Sequence, residues 1–293
     1  EISLGLVGSE MCIRDRFCYI FGNEKNKQWT LELFNAVNGS NYTDPNEITY
    51  TTIDDVIYVK RKNDVSFLIS GYINLYEQQS TYNPNMPVRA LIYAGMLFSA
   101  YIENNGLSLY SRKRLKLPTP KCICFYNGTD YQEERKVLKL SDSFEKEADI
   151  ELSVLMLNIN MGNNEDLLNA CKPLMNYSWF VEKVRTLSKE MGIKEAVDIA
   201  IDEMPENFAI KGFLRKNKSE VELLCITSFD ERDEKCIRDE GFEEGFEKGV
   251  KGTISIAQKL GQTKEQTISL VQKQYEMTQE DAEKYVNMYW DEK

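Results

Sequence analysis

The 293-residue chain contains no histidine. That absence removes Ser-His-Asp triads, Cys-His pairs and imidazole metal sites together, so any chemistry must run on carboxylates, amides, lysines or hydroxyls. Long apolar runs are missing as well. No stretch approaches the roughly 20 residues that cross a bilayer, so we expect no membrane contact and a cytoplasmic location. The seven cysteines are odd in number and scattered, which argues for reduced thiols over a disulfide framework. Cys122 and Cys124, the close pair, share a strand face by alternation but lack the second pair that a structural zinc needs. No P-loop or dinucleotide fingerprint occurs.

Acidic residues are unevenly spread. The net charge is −11, yet no Asp or Glu falls between Glu103 and Asp130, where Arg112, Lys113, Arg114, Lys116 and Lys121 gather. Lys60, Arg61 and Lys62 form a second basic cluster. Either cluster suits a polyanion, and each also reads as a solvated loop. Residues 1–16 show no consistent period. Read back into codons, LVGSEMCIRD at 6–15 matches one frame of a transposase-based sequencing adapter, so 1–16 are expected to be an assembly scar without function. A signal peptide does not fit, because the basic residues follow the short apolar stretch and no sustained apolar core comes after them.

From there the pattern becomes regular. QWTLELFNAV repeats apolar residues at helical spacing, with Asn38-Gly39 as a stop. ITYTTIDDVIYV, DVSFLIS and YINLYEQQ read as a three-stranded antiparallel meander. PVRALIYAGMLFSAYIENNG reads as a helix, with Pro87 in its first turn and Gly106 past its end. KCICFYNG and DIELSVLMLNIN are near-continuous apolar runs, of the kind buried on both faces of a sheet. The order of helix, three strands, helix and strand predicts an α/β fold. After Asn160 the text turns helical, through EDLLNACKPLMNYSWFVEKVRTLSKEM, IKEAVDIAIDEM and a stretch around VELLCITSFDERDEKCIRDE. Gly241, Gly245 and Gly249 then line one stripe of a charged segment, and Thr263 and Thr278 announce two capped helices. The stripe fits either a homo-oligomerising helix or a solvated connector.

One constellation has chemical promise. If Ser70-Gly71 is a two-residue hairpin turn, Asp64 lies opposite Glu77, their Cβ atoms about 4.5–5.5 Å apart on one face. Gln79 follows on that face, and Lys60, Arg61 and Lys62 precede it. Two opposed carboxylates repel, so a hard divalent ion or neighbouring cations must accompany them. A one-residue slip would put the two acids on opposite faces.

FxxIFG at Phe17–Gly22, KNDVSF, LYEQQS, NPNMPVRALIYAGMLFSAY and PTPKCICFYNG, in that order, resemble the Rpn family of recombination-promoting nucleases and transposases, within the PD-(D/E)XK nuclease superfamily. The likeness runs from about Phe17 to Asn160. It implies a restriction-endonuclease-like αβββαβ core over 17–163, a helical region over 164–238 and a glycine-punctuated helical tail over 239–293. It also implies hydrolysis of DNA phosphodiesters with Mg2+ or Mn2+. Asp64 and Glu77 match the superfamily's metal ligands, and Gln79 stands where a lysine is usual. The ion would polarise the phosphate and acidify the attacking water, with Gln79 orienting that water. Glu32, which reads equally as part of a solvated helix face, and one of Asp54 and Asp55 are further ligand candidates, with Lys62 as a substitute cation. Lys60, Arg61, Arg112, Lys113 and Arg114 are candidate DNA contacts, and Arg89 reads equally as a DNA contact or as an ion-pair partner that fixes its helix. The competing expectation is a catalytically inactive descendant that binds DNA or protein. A third is a helical assembly protein that binds neither metal nor DNA.

Overall fold

The structure is a computed structural model that describes residues 17–51, 64–217, 246–275 and 277–290. The chain divides into two compact units, 1–227 and 228–293.

In the first unit a helical turn at 17–21 (α1) leads to α2, Lys27–Asn38. Helix α2 ends where its sequence says it must: Gly39 takes the left-handed C-cap, φ 62°, and its N–H closes on the Asn35 carbonyl. Six strands follow: β1 (Thr49–Tyr50), β2 (Val65–Ile69), β3 (Tyr72–Gln79), β4 (Thr119–Tyr126), β5 (Arg135–Lys139) and β6 (Ser153–Asn158). Their order in the sheet is β1-β2-β3-β4-β6-β5. The β1-β2-β3 meander and the β5-β6 pair are antiparallel, whereas β3, β4 and β6 run parallel at the centre. Strands β4 and β6 sit between neighbours on both edges, which is why they read as near-continuous apolar runs.

Helix α3, Met86–Asn104, is the crossover between β3 and β4 and covers one sheet face. Its Tyr93, Ala94 and Leu97 pack on Ile73 and Leu75, while Met86 and Ala90 pack on Cys124, Tyr126 and Met156. The other face carries the larger core. Phe67, Tyr76 and Phe125 meet α1 and α2 there, together with α4 (Glu165–Ala170), α5 (Lys172–Leu187), α6 (Ile193–Glu203) and α7 (Lys211–Lys216). The helices after residue 163 therefore share the core of the strands before it, through Leu174, Tyr177, Val197 and Leu214. The single helix expected over 165–191 is two. Cys171 is extended, φ −123° and ψ 94°, and Pro173 opens α5, where its missing N–H costs nothing.

Strand β5 had no counterpart in the sequence reading. RKVLK is a short edge strand, mostly exposed, whose lysines and arginine blunt the open edge.

Among the described residues the second unit has three helices: α8 over 246–259, α9 (Lys264–Gln274) and α10 (Gln279–Tyr289). Val250, Ile254, Val271, Ala282 and Val286 form its core. Thr263 caps α9 in a full capping box with Gln266, and Thr278 caps α10 through the Asp281 N–H. Gly249 faces Tyr275 so closely that an added Cβ would lie 3.1 Å from its hydroxyl. At this position the glycine stripe serves a contact within the chain. Gly241, Gly245 and the stretch 221–240 lie outside the described residues.

Candidate functional site

The hairpin decides whether the two acids meet. Ser70 and Gly71 both have positive φ, 49° and 78°, as a type I′ turn requires. The strands pair Ile69 with Tyr72 and Val65 with Tyr76, so the expected register holds to the last paired residues. One step further out, Asp64 and Glu77 are laced together by backbone. The Asp64 N–H donates to Glu77 Oε1 (3.2 Å), and the Gln78 N–H donates to Asp64 Oδ2 (2.7 Å). Alternation places both acids on the α3 side of the sheet, with Gln79 following Glu77 on that face.

Both carboxylates are nearly sealed, Asp64 at 9% and Glu77 at 3% exposure. A buried carboxylate needs a counter-charge. Glu77 has one, since Arg89 Nη2 lies 2.7 Å from its Oε2. Beneath the pair, Cys124 is fully buried beside Glu77 in the parallel register. Burial, with Glu77 adding to it, drives the Cys124 thiol far above its ordinary range and pushes Cys122 up to about 11. Both stay protonated near neutrality and are not thiolate ligands there.

The pair stands at the carboxyl ends of the parallel strands, where α/β sheets commonly hold ligands. Asparagines organise the loops at this edge. Asn158 Nδ2 donates to the Gln132 carbonyl (3.0 Å), Asn160 Nδ2 to the Gly128 carbonyl (2.9 Å) and Asn164 Nδ2 to the Asn158 carbonyl (2.9 Å). Together they tie the loop after β4 to the loop after β6. Gly128 lies so close to the Ser80 carbonyl that no side chain fits between them.

Behind the pair, on the opposite face, Gln78 is fully buried and its Nε2 donates to Asn127 Oδ1 (2.6 Å). Arg185, in the last turn of α5, donates to the Asn127 carbonyl. The sequence reading passed over Gln78, Asn127 and Arg185. Two further cations at this edge, Arg135 and Lys136, lie on the unforeseen β5. Arg135 Nε donates to Asn164 Oδ1 (2.8 Å), and Lys136 lies over the Tyr82 ring. The available signal was three consecutive polar residues, Glu77-Gln78-Gln79, which period-two alternation must divide between two faces.

Other expected site residues are not gathered here. Glu32 sits on α2, which packs on the opposite face through Phe34 and Phe67, and accepts from Gln28 Nε2 (3.3 Å). Arg112, Lys113 and Arg114 are exposed on the loop that joins α3 to β4. Thr119 donates to the Gly71 carbonyl, so that loop meets the sheet at the hairpin-turn end. Glu77 lies five residues along β3 from Tyr72, the partner of Thr119, or about 17 Å at strand rise. Asp54, Asp55, Lys60, Arg61 and Lys62 lie outside the described residues.

Among the described residues no group of three His, Cys, Asp or Glu side chains converges on one point. Two buried carboxylates are nonetheless a fitting donor set for Mg2+, which takes one or two carboxylates and completes its shell with water and phosphate oxygens. No helix among the described residues is long and apolar enough to cross a membrane. Comparison with protein-family models, with curated proteins and with solved structures gave no match.

Proposed function

We propose that this chain is a metal-dependent DNA endonuclease of the PD-(D/E)XK type, acting in the cytoplasm. One observation carries the reading: Asp64 and Glu77 are buried side by side at the carboxyl edge of the parallel strands, Glu77 accepting from the Asp64 N–H and Asp64 from the Gln78 N–H. Burying two acids together is unfavourable, and an α/β fold has no need of it for packing. The element order, with a meander, a crossover helix and central parallel strands, agrees with the expected core.

In this reading Asp64 and Glu77 are the ligands of Mg2+ or Mn2+. When bound, the ion supplies polarisation of the phosphodiester and a lowered water pKa. In hydrolysis a water oxygen bonds to phosphorus, one ester P–O bond breaks, and the proton ends on the departing alkoxide. Gln79 can orient the water by hydrogen bonds but carries no charge. Nucleic acid must approach against a net charge of −11, so binding rests on local basic residues and weakens steeply with salt. Self-association of the chain through the second unit remains part of the proposal.

The test is cleavage of supercoiled plasmid with Mg2+ or Mn2+ by the parent, Asp64→Ala and Glu77→Ala. Each variant is expected to lose about 100-fold or more in rate, since an ion ligand contributes several kcal/mol to the transition state. Cutting that survives both substitutions would move the chemistry elsewhere. A second reading, the non-catalytic descendant, is favoured by the Arg89–Glu77 ion pair, which already neutralises one carboxylate. A folded parent that binds DNA with no metal-dependent cutting would select it.

A further inference from the structure

Gln78 is an amide in an apolar place. Alternation along β3 puts it on the sheet face that carries Phe67, Tyr76 and Phe125, where it is fully buried. A buried amide is costly unless it is bonded, so its partners indicate what it does there. Two of its bonds run in different directions. The side-chain Nε2 donates to Asn127 Oδ1 at 2.6 Å, and the backbone N–H donates to Asp64 Oδ2 at 2.7 Å. Gln78 thus joins one acid of the pair to the layer behind the sheet.

Asn127, the first residue past β4, is fixed from three sides. Its N–H donates to the Gln79 carbonyl (3.0 Å), its Oδ1 accepts from Gln78, and its carbonyl accepts from Arg185 in the last turn of α5. Helix α5 is itself seated in the core through Leu174, Tyr177 and Val181. A continuous chain of bonds therefore runs from α5 through Arg185, Asn127 and Gln78 to the Asp64 carboxylate. Among the described residues the pairing of β2 with β3 ends at Val65 and Tyr76. Two residues beyond it, the Gln78 N–H meets the Asp64 carboxylate. The side-chain anchor on Asn127 fixes the rotation of this peptide, and with it the direction of the N–H. Glu77 and Gln79 flank Gln78 and are steadied with it.

We propose that Gln78 is a positioning residue: held by Asn127 and Arg185, it keeps its N–H on Asp64 and fixes that carboxylate for the divalent ion. This rests on the nuclease reading above. It also makes α5, which lies beyond the expected αβββαβ core, part of the support of the site.

The experiment compares the parent with Gln78→Met, Asn127→Leu, Asn127→Asp and, as a control for stability, Lys211→Met. It reads Mn2+ affinity by calorimetry, plasmid cleavage as kcat and KM, thermal melting, and the amide-proton shift at position 78 in the metal-free protein. Gln78→Met keeps the length of the side chain and removes the amide; Asn127→Leu removes the acceptor. Each is expected to bind Mn2+ about tenfold more weakly and to lose about tenfold in kcat, with KM changed by less than about threefold. The amide proton at position 78 should move upfield in both as its bond to the carboxylate lengthens. Asn127→Asp retains the Oδ1 acceptor and should stay within about threefold of the parent in Mn2+ affinity. Lys211→Met should lower the melting temperature and leave Mn2+ affinity unchanged, which separates positioning from a general loss of stability. Mn2+ affinity within about threefold of the parent in Gln78→Met and Asn127→Leu would overturn the inference and leave the nuclease reading intact. Should Gln78→Met not fold, the two Asn127 variants decide, and equal Mn2+ affinity in them overturns it. Failure of both Gln78→Met and Asn127→Leu to fold would overturn it in favour of a packing role. A folded parent that neither binds Mn2+ nor cuts overturns the nuclease reading and this inference with it.

Discussion

Single residues in this protein show how much depends on what a side chain must satisfy. Lys211 is 4% exposed, and its ammonium group reaches the Asp202 carbonyl (3.2 Å), the Met204 carbonyl and Glu206 Oε1 (2.7 Å). It thereby caps the C-terminal end of α6, whose last carbonyls have no helical partner. Lys211→Met keeps the apolar stem and removes the ammonium, so urea unfolding should show a loss of about 1–3 kcal/mol. An unchanged midpoint would mean that water satisfies those carbonyls. Nothing in the text around Lys211 marks it, because its partners are set by the turn between α6 and α7. Asp64 and Glu77 are the opposite case. Thirteen positions apart, they are joined by a two-residue turn and period-two alternation, so their meeting is legible from the hairpin alone.

At the scale of elements, the β2–β3 hairpin shows how local chemistry sets a site. Its type I′ turn asks a serine to adopt φ 49°, a conformation that asparagine tolerates better. Ser70→Asn should therefore stabilise the first unit by about 0.5 kcal/mol, part of the ~1–2 kcal/mol left-handed penalty. Gly71→Ala, at φ 78°, should destabilise it by about 1 kcal/mol. Chemical denaturation of both variants checks the turn type, and reversed signs would exclude it. Helix ends were legible for the same local reason: Gly39 after α2 and Thr263 and Thr278 before α9 and α10 do what their residue types favour. The division of α4 from α5 was also written in the chain, at Pro173, although an apolar period continuous across it argued for one helix. Strand β5 was illegible because its apolar content is confined to Val137 and Leu138, and its pairing partner, β6, lies 14 residues further on.

For the molecule as a whole, the distribution of buried thiols and phenols sets a pH response. Burial pushes Cys122 up to about 11 and Cys171 and Tyr50 up to about 12, and it raises Cys124, Tyr76 and Tyr177 further. In the unfolded chain thiols titrate near 9.0 and phenols near 10.0. The native state thus retains protons that the unfolded state releases, and this contribution is fully present below about pH 9 and lost as pH rises above it. The urea midpoint should be level from about pH 7 to 8.5 and fall beyond 9, by about 1.4 kcal/mol per pH unit for each group in play. A level midpoint to pH 10.5 would show that these groups open to water without unfolding.

By itself the sequence determined what depends on neighbours in the chain: the meander, the crossover helix, the apolar central strands, the caps and the facing of Asp64 and Glu77. Those follow from periodicity and turn chemistry within about 20 residues. Only the tertiary structure decided that Arg89 rests on Glu77, that Glu32 lies across the sheet from both acids, and that the Arg112–Arg114 loop meets the opposite end of β3. It also decided that the helices after residue 163 complete the core of the first unit. Such relations arise when α3 crosses back antiparallel to β3 and brings its first turn to the carboxyl edge, a matter of packing between elements that no local period encodes.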